Sequence, residues 1–139
     1  MTNYIHINET NKEFHLTNGK LSYIFRVMEQ TKILEQLYAG KAIRHQESFA
    51  HLIEREIRPS NNQVTGDHTT SLEHIKQEMP VYGTTDFRYP GMEIRYPDGD
   101  RISQFEYRSY SVVEGKKRLP NLPATFAGEH EATTLEIYL

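Results

Sequence analysis

Two alternating runs meet at Asn18-Gly19, and that meeting constrains the fold more than any other feature of the chain. Phe14 and Leu16 lead into Thr17-Asn18-Gly19-Lys20, and Leu21, Tyr23, Phe25 and Val27 then share one side of the second run. Asn and Gly both tolerate positive φ, so this pair between two period-two runs predicts a tight antiparallel hairpin. Ile24 interrupts the polar side between Ser22 and Arg26, which predicts partial cover on both faces of that strand. Leu34 to Tyr38, followed by Ala39-Gly40-Lys41 and Ala42-Ile43, predicts a second hairpin that turns at the glycine.

Beyond this point the periodicity changes. It fades from Arg44 to Thr69, where Pro59-Ser60-Asn61-Asn62 and Gly66-Asp67 mark a long excursion. Thr70 to Met79 reads as a short helix, with Thr70 as cap, Glu73 three residues later as the capping-box acid and Pro80 as the stop. Strand-like runs return at Met92, Ile94 and Tyr96, which precede a turn at Pro97-Asp98-Gly99-Asp100. Ile102 to Val113, Leu122 to Phe126 and Leu135 to Leu139 add further segments of this kind. The expectation is a mainly β chain: an antiparallel β-sandwich of six to eight short strands, with one short helix and one long loop. Residues 1–139 read as one domain. Its last strand runs to Leu139 where a loose polar end is usual, so the domain is expected to be cut short at its C-terminal end.

Composition narrows the function classes. Nine tyrosines and no tryptophan suit pleated, half-buried surfaces. A formal charge of −3 gives no electrostatic case for a nucleic-acid or acidic-membrane partner. Lys116-Lys117-Arg118, between Gly115 and Pro120, reads as a solvated turn. Without cysteine there is neither a disulfide nor a thiolate metal site. The N-terminal stretch lacks the basic head and apolar segment of a secretion signal, and no apolar run approaches the ~20 residues of a membrane helix. A cytoplasmic location is the expectation. Asn8-Glu9-Thr10 matches a glycosylation sequon, a tripeptide that arises often by chance.

Catalytic chemistry is hard to place on these residues. The seven histidines (His6, His15, His45, His51, His68, His74 and His130) include no pair at the spacing of a preformed metal site, and no cofactor motif is present. Asp98 and Asp100 flank a turn glycine, where Asp serves its own backbone, and Glu129 and Glu131 sit in a polar linker. Neither pair has the apolar surroundings that separate the pKa values of a glycosidase acid and its partner. The loop QEMPVYGTTDFRYPG, Gln77 to Gly91, has neither helical nor strand periodicity and reads as an ordered binding loop. Within it Asp86 and Arg88 fall on the same side. They are placed to clasp each other or the nearby backbone, or to meet a sugar beside Tyr82, Phe87 and Tyr89. Glu54, in HLIERE, is either a salt-bridging surface residue or a ligand group presented by the long excursion.

Taken in order, EFHLTNGKLSYIFRV, YAGKAIRH, QEMPVYGTTDFRYPG, the PDGD turn, KKRLPNLPATF and TLEIYL resemble the start of bacterial α-galactosidases (melibiases) of glycoside hydrolase family 36. The resemblance implies a multidomain enzyme with an N-terminal β-supersandwich, a central (β/α)₈ barrel and a C-terminal β-sheet domain. It implies retaining hydrolysis of terminal α-linked galactose from melibiose, raffinose and stachyose, by an Asp nucleophile and an Asp acid/base in the barrel. The chain then corresponds to the first part of the supersandwich and is inactive alone. Its implied partners are α-galactoside oligosaccharides through the full-length enzyme, its own catalytic barrel, and further copies in a homo-oligomer, a tetramer in the parent. In some members an acidic residue of the first long loop lies close to substrate. Glu54 matches that position, where relatives commonly carry Asp, and one extra methylene displaces the carboxylate by more than ~1 Å. Two other readings remain open: a free-standing carbohydrate-binding β-sandwich that uses the aromatic loop as its platform, and an oligomerisation module.

Overall fold

The computed structural model describes residues 4–57, 62–128 and 130–139. Six strands form: β1 (Ile5–Asn8), β2 (Glu13–Thr17), β3 (Leu21–Val27), β4 (Leu34–Lys41), β5 (Ser109–Glu114) and β6 (Thr133–Tyr138). The first four make an antiparallel sheet in chain order, and β5 pairs antiparallel with β6 in a second sheet.

The hairpin at Asn18-Gly19 forms as expected. Gly19 sits at φ 78°, and the Asn18 side-chain oxygen accepts the amides of Lys20 and Leu21 at 3.0 and 2.8 Å. An Asx cap of this kind holds the turn without help from packing. β1 has no counterpart among the expected strands, although Ile5 and Ile7 alternate with His6 and Asn8. Ile5 lies opposite Leu16 and Ile7 opposite Phe14. Asn8 then caps the next turn, accepting the amides of Thr10 and Asn11 at 2.9 and 3.1 Å, so the asparagine of the sequon already serves the backbone.

The second hairpin turns elsewhere than at Gly40. β4 runs straight through the glycine, which lies opposite Ser22. The turn is at residues 28–33, where the Met28 amide donates to the Ile33 carbonyl at 2.9 Å. Gly40 marks a close approach instead: a Cβ there would stand 2.8 Å from the Tyr38 hydroxyl, which donates to the Lys41 carbonyl. Register shifts between Ile24, opposite Tyr38, and Phe25, opposite Gln36, so Leu37 is the extra residue of a bulge.

Each face of the four-stranded sheet has its own cover. Phe14, Phe25, Val27 and Leu34 bury one face under Tyr107, Tyr110, Leu135 and Ile137, with the Phe14 and Phe25 rings stacked 4.9 Å apart. This is the sandwich core. On the opposite face Ile24 and Leu37 pack against Phe49 and, around it, Ile43, Leu52 and Ile53. Ile24 is therefore buried, as its position among polar neighbours indicates. A third cluster, Met28, Ile33, Leu72 and Ile75, closes the end of the β3–β4 hairpin.

Three expected elements are absent. Residues 70–79 make turns rather than a helix, and the only helical element among the described residues is a 3₁₀ turn at Ala50–Leu52. The Thr70 hydroxyl donates to Asp67 at 2.5 Å instead of capping a helix. The Leu72 and Ile75 carbonyls, which a helix would use internally, accept from Arg88 at 2.7 and 2.8 Å. Tertiary hydrogen bonds thus override a good local capping pattern. Met92–Tyr96 and Leu122–Phe126 form no ladder, and Leu122 and Phe126 stand exposed. The Pro97–Asp100 turn is real, with Gly99 at φ 90°.

Candidate functional site

The loop after Pro80 is built on the edge of β4. Glu35 bridges Gln77, the Gln36 amide donates to the Lys76 carbonyl at 2.8 Å, and the Glu78 amide donates to the Leu34 carbonyl at 3.1 Å. The Tyr23 hydroxyl reaches across to Glu78 and accepts from Gln36 at 3.1 Å. Burial and then the Glu78 carboxylate push the Tyr23 hydroxyl up to about 12, so it remains a donor at any ordinary pH. These contacts fix the base from which the loop springs.

Asp86 and Arg88 clasp each other. Arg88 Nε donates to Asp86 Oδ1 and its Nη2 to Oδ2, both at 2.9 Å, and the Arg88 amide adds a third bond at 3.1 Å. Gln77 Nε2 completes the carboxylate at 2.6 Å. Asp86 is 5% exposed. Burial opposes its charge, but the Arg88 hydrogen bonds and charge outweigh it, and the carboxyl is held below its ordinary 3.8. The same Arg88 Nη2 takes the Leu72 and Ile75 carbonyls, tying the loop to the preceding turns. Gly83, Thr84 and Thr85 all sit at positive φ, strain that these side-chain bonds hold in place. The outcome is a rigid loop with Phe87 at 79% and Tyr89 at 86% exposure on either side of Arg88.

Glu54 stands apart from the clasp. It is exposed and accepts from Lys76 Nζ at 2.8 Å. An exposed pair of this sort contributes about 0–1 kcal/mol, so the carboxylate is free to be recruited. Among the three candidate residues, Asp86 and Arg88 come together, and Glu54 is linked to them through the 70–77 segment.

The other carboxylate pairs serve structure. Asp98 accepts the Asp100 amide at 3.0 Å, and Asp100 accepts those of Arg101 and Ile102 at 2.7 and 3.0 Å. Glu131 accepts the Gly128 amide at 2.8 Å, while Glu129 lies outside the described residues, as does most of the Pro59–Asn62 stretch.

The sequence spacing did not reveal that three histidines meet. His6 and His15 are opposite one another on β1 and β2, and His45 stacks on His6 with ring centroids 4.2 Å apart. Recognising the Ile5/Ile7 alternation would have placed the first two together; nothing local points to His45. Among the described residues no group of three or more His, Asp or Glu is arranged to hold a metal ion, and no helix is long and apolar enough to cross a membrane.

Comparison with known proteins agrees with this architecture. The model of the glycosyl hydrolase family 36 N-terminal domain matches residues 32–139. The α-galactosidase AgaA of Geobacillus stearothermophilus is 37% identical over 133 residues, which is 95% of this chain and 18% of the relative. The crystal structure of the α-galactosidase from Lactobacillus brevis superimposes with a TM-score of 0.86 at 34% identity, covering 96% of this chain and 18% of that one. A variant of AgaA solved in complex with raffinose gives 0.80 at 38% identity, over 91% of this chain and 18% of that one. The chain thus spans about a fifth of the length of the relatives it matches.

Proposed function

The chain belongs to glycosyl hydrolase family 36, of which it is an N-terminal domain, and from that premise we propose that it is the non-catalytic front of a retaining α-galactosidase. In this reading the enzyme hydrolyses terminal α-linked galactose from raffinose-type oligosaccharides in the cytoplasm, and its catalytic carboxylates lie outside these 139 residues. The domain shapes the substrate pocket and the contacts between subunits.

One observation carries the reading: a loop pinned from within turns its aromatic side chains outward. Asp86 and Arg88 satisfy each other and the backbone, so their role is to position Phe87 and Tyr89 rather than to meet a sugar directly. Exposed Leu119, Leu122 and Phe126 line one surface hollow and offer the rest of the enzyme a second apolar surface. Clustered exposed apolar groups mark interaction sites in soluble proteins. Glu54, held only by Lys76, is the candidate to reach substrate.

The test uses the chain itself. With a chromogenic α-galactoside it should give no turnover, and titration with raffinose should show no millimolar binding. Turnover above blank would overturn the non-catalytic assignment. Binding without turnover would favour the free-standing carbohydrate-binding module, for which the exposed Phe87 and Tyr89 rings are the supporting feature.

A further inference from the structure

The second face of the four-stranded sheet is unusual in what it buries. Beside Ile24 and Leu37 it carries His6 and Asn8 from β1, Glu13 and His15 from β2, Ser22 and Arg26 from β3 and Glu35 from β4; Arg26 Nε and Glu35 pair at 2.6 Å. Residues 42–53 lie over this face, held by the buried Phe49 with Ile43, Leu52 and Ile53 around it and by a set of polar contacts. The Ile43 amide donates to Ser22 Oγ at 3.1 Å, and Asn8 donates to the Glu47 carbonyl. Glu13 accepts from the Ser48 hydroxyl at 3.0 Å and from the Phe49 amide at 2.8 Å.

The histidines sit in the middle of this dock. His15 Nε2 lies 2.8 Å from Ser22 Oγ, and its Nδ1 lies 3.2 Å from His45 Nδ1. Ser22 Oγ accepts from Ile43 N–H and keeps one hydrogen and one lone pair, so it meets either neutral tautomer of His15, and His15 Nδ1 and His45 Nδ1 share one proton. A second proton on His15 instead puts charge on a ring that is 2% exposed and 5.6 Å from the His6 ring.

We propose that His15, flanked by His6 and His45, is a proton-operated latch that seats residues 42–53 on the sheet while its ring is neutral and lifts them when it is charged. The segment ends one residue before Glu54, so lifting it moves the candidate substrate-facing carboxylate. Burial first, and then His45, hold His6 below its ordinary 6.5; burial, His45 and His6 do the same for His15. A depressed histidine favours the seated state fully above 6.5, and that contribution is lost as pH falls through its lower, seated value. The remaining ionisable groups of the segment, Arg44, Glu47 and His51, do not contribute to either shift.

Amide hydrogen exchange at Phe49, corrected for the intrinsic pH dependence of exchange, reads the latch directly. Protection should fall at least about fivefold between roughly pH 7.5 and 5.5, the low end of couplings between two linked equilibria. In His45→Gln, an exposed position, the fall should be smaller; His6→Gln serves as a second variant. The imidazole resonances of His15 should titrate in the unsubstituted chain with the same midpoint as the Phe49 amide, below 6.5. Protection independent of pH, an unchanged fall in both variants, or separate midpoints for His15 and Phe49 would overturn the proposal.

Discussion

Residues 5–53 and the segments 84–102 and 119–126 place most of their apolar side chains in opposite ways. In the first region Phe14, Ile24, Phe25, Leu37 and Phe49 are buried on the two faces of one sheet. In the second, Phe87, Tyr89, Ile102, Leu119, Leu122 and Phe126 stand exposed. The first region is shaped by ladder pairing and burial. The loop that opens the second is shaped by hydrogen bonds from charged side chains, above all Asp86 and Arg88. A region fixed by its own core is a scaffold, whereas one fixed by polar pins with its aromatics outward is a surface prepared for contact.

The largest effect should come from substituting matching residues of the two regions. Phe14→Ala removes a fully buried ring stacked on Phe25 and is expected to cost about 3–5 kcal/mol in urea unfolding. Phe126→Ala, at 83% exposure, should cost about 0.5 kcal/mol or less. Equal losses would erase the distinction between the two regions.

Breaking the clasp should have a smaller but local effect. Asp86→Asn leaves Arg88 without its charged partner and is expected to cost about 1–3 kcal/mol in thermal unfolding, with faster amide exchange confined to residues 72–91. Arg88→Lys should behave similarly, because an ammonium cannot reproduce the forked contact to Asp86 and the two carbonyls. Loss spread evenly over the four-stranded sheet would mean the clasp supports the core rather than the loop.

Acid sharpens the same point. Asp86 has a depressed carboxyl, so its contribution is present in full above about 3.8, the ordinary value, and disappears as pH falls through the lower folded value. The stability gap between the unsubstituted chain and Asp86→Asn should therefore narrow only in that acid range. A gap constant down to the lowest accessible pH would show that charge on Asp86 is immaterial.

The smallest effect on stability belongs to Glu54→Gln, which removes only an exposed pair worth about 0–1 kcal/mol. In the full-length enzyme the same change should raise KM for raffinose, if the loop reaches substrate as proposed. An unaltered KM would leave Glu54 as a surface residue.

The sequence made the hairpin at Asn18-Gly19 legible because the turn chemistry and the flanking alternation agree there. It made the Asp86–Arg88 clasp legible because residues two apart on an extended loop share a side. Other features depend on contacts distant in sequence. Gly40 signalled a turn, but Tyr38 lying over it accounts for the glycine. Thr70 and Glu73 form a sound capping pattern, yet Asp67 and Arg88 take the groups a helix would need. Leu122 to Phe126 reads as a strand because its apolar content is high, although that content is left exposed. The histidine cluster joins β1, β2 and a segment thirty residues from His15, a distance no local pattern spans.

The most direct test compares amide exchange over residues 116–128 in this chain and in the full-length polypeptide. This segment should exchange rapidly in the chain alone and become protected in the longer protein, while β2–β4 is protected alike in both. Equal exchange of the segment in both proteins would contradict the account, since its exposed apolar surface would then have nothing to meet.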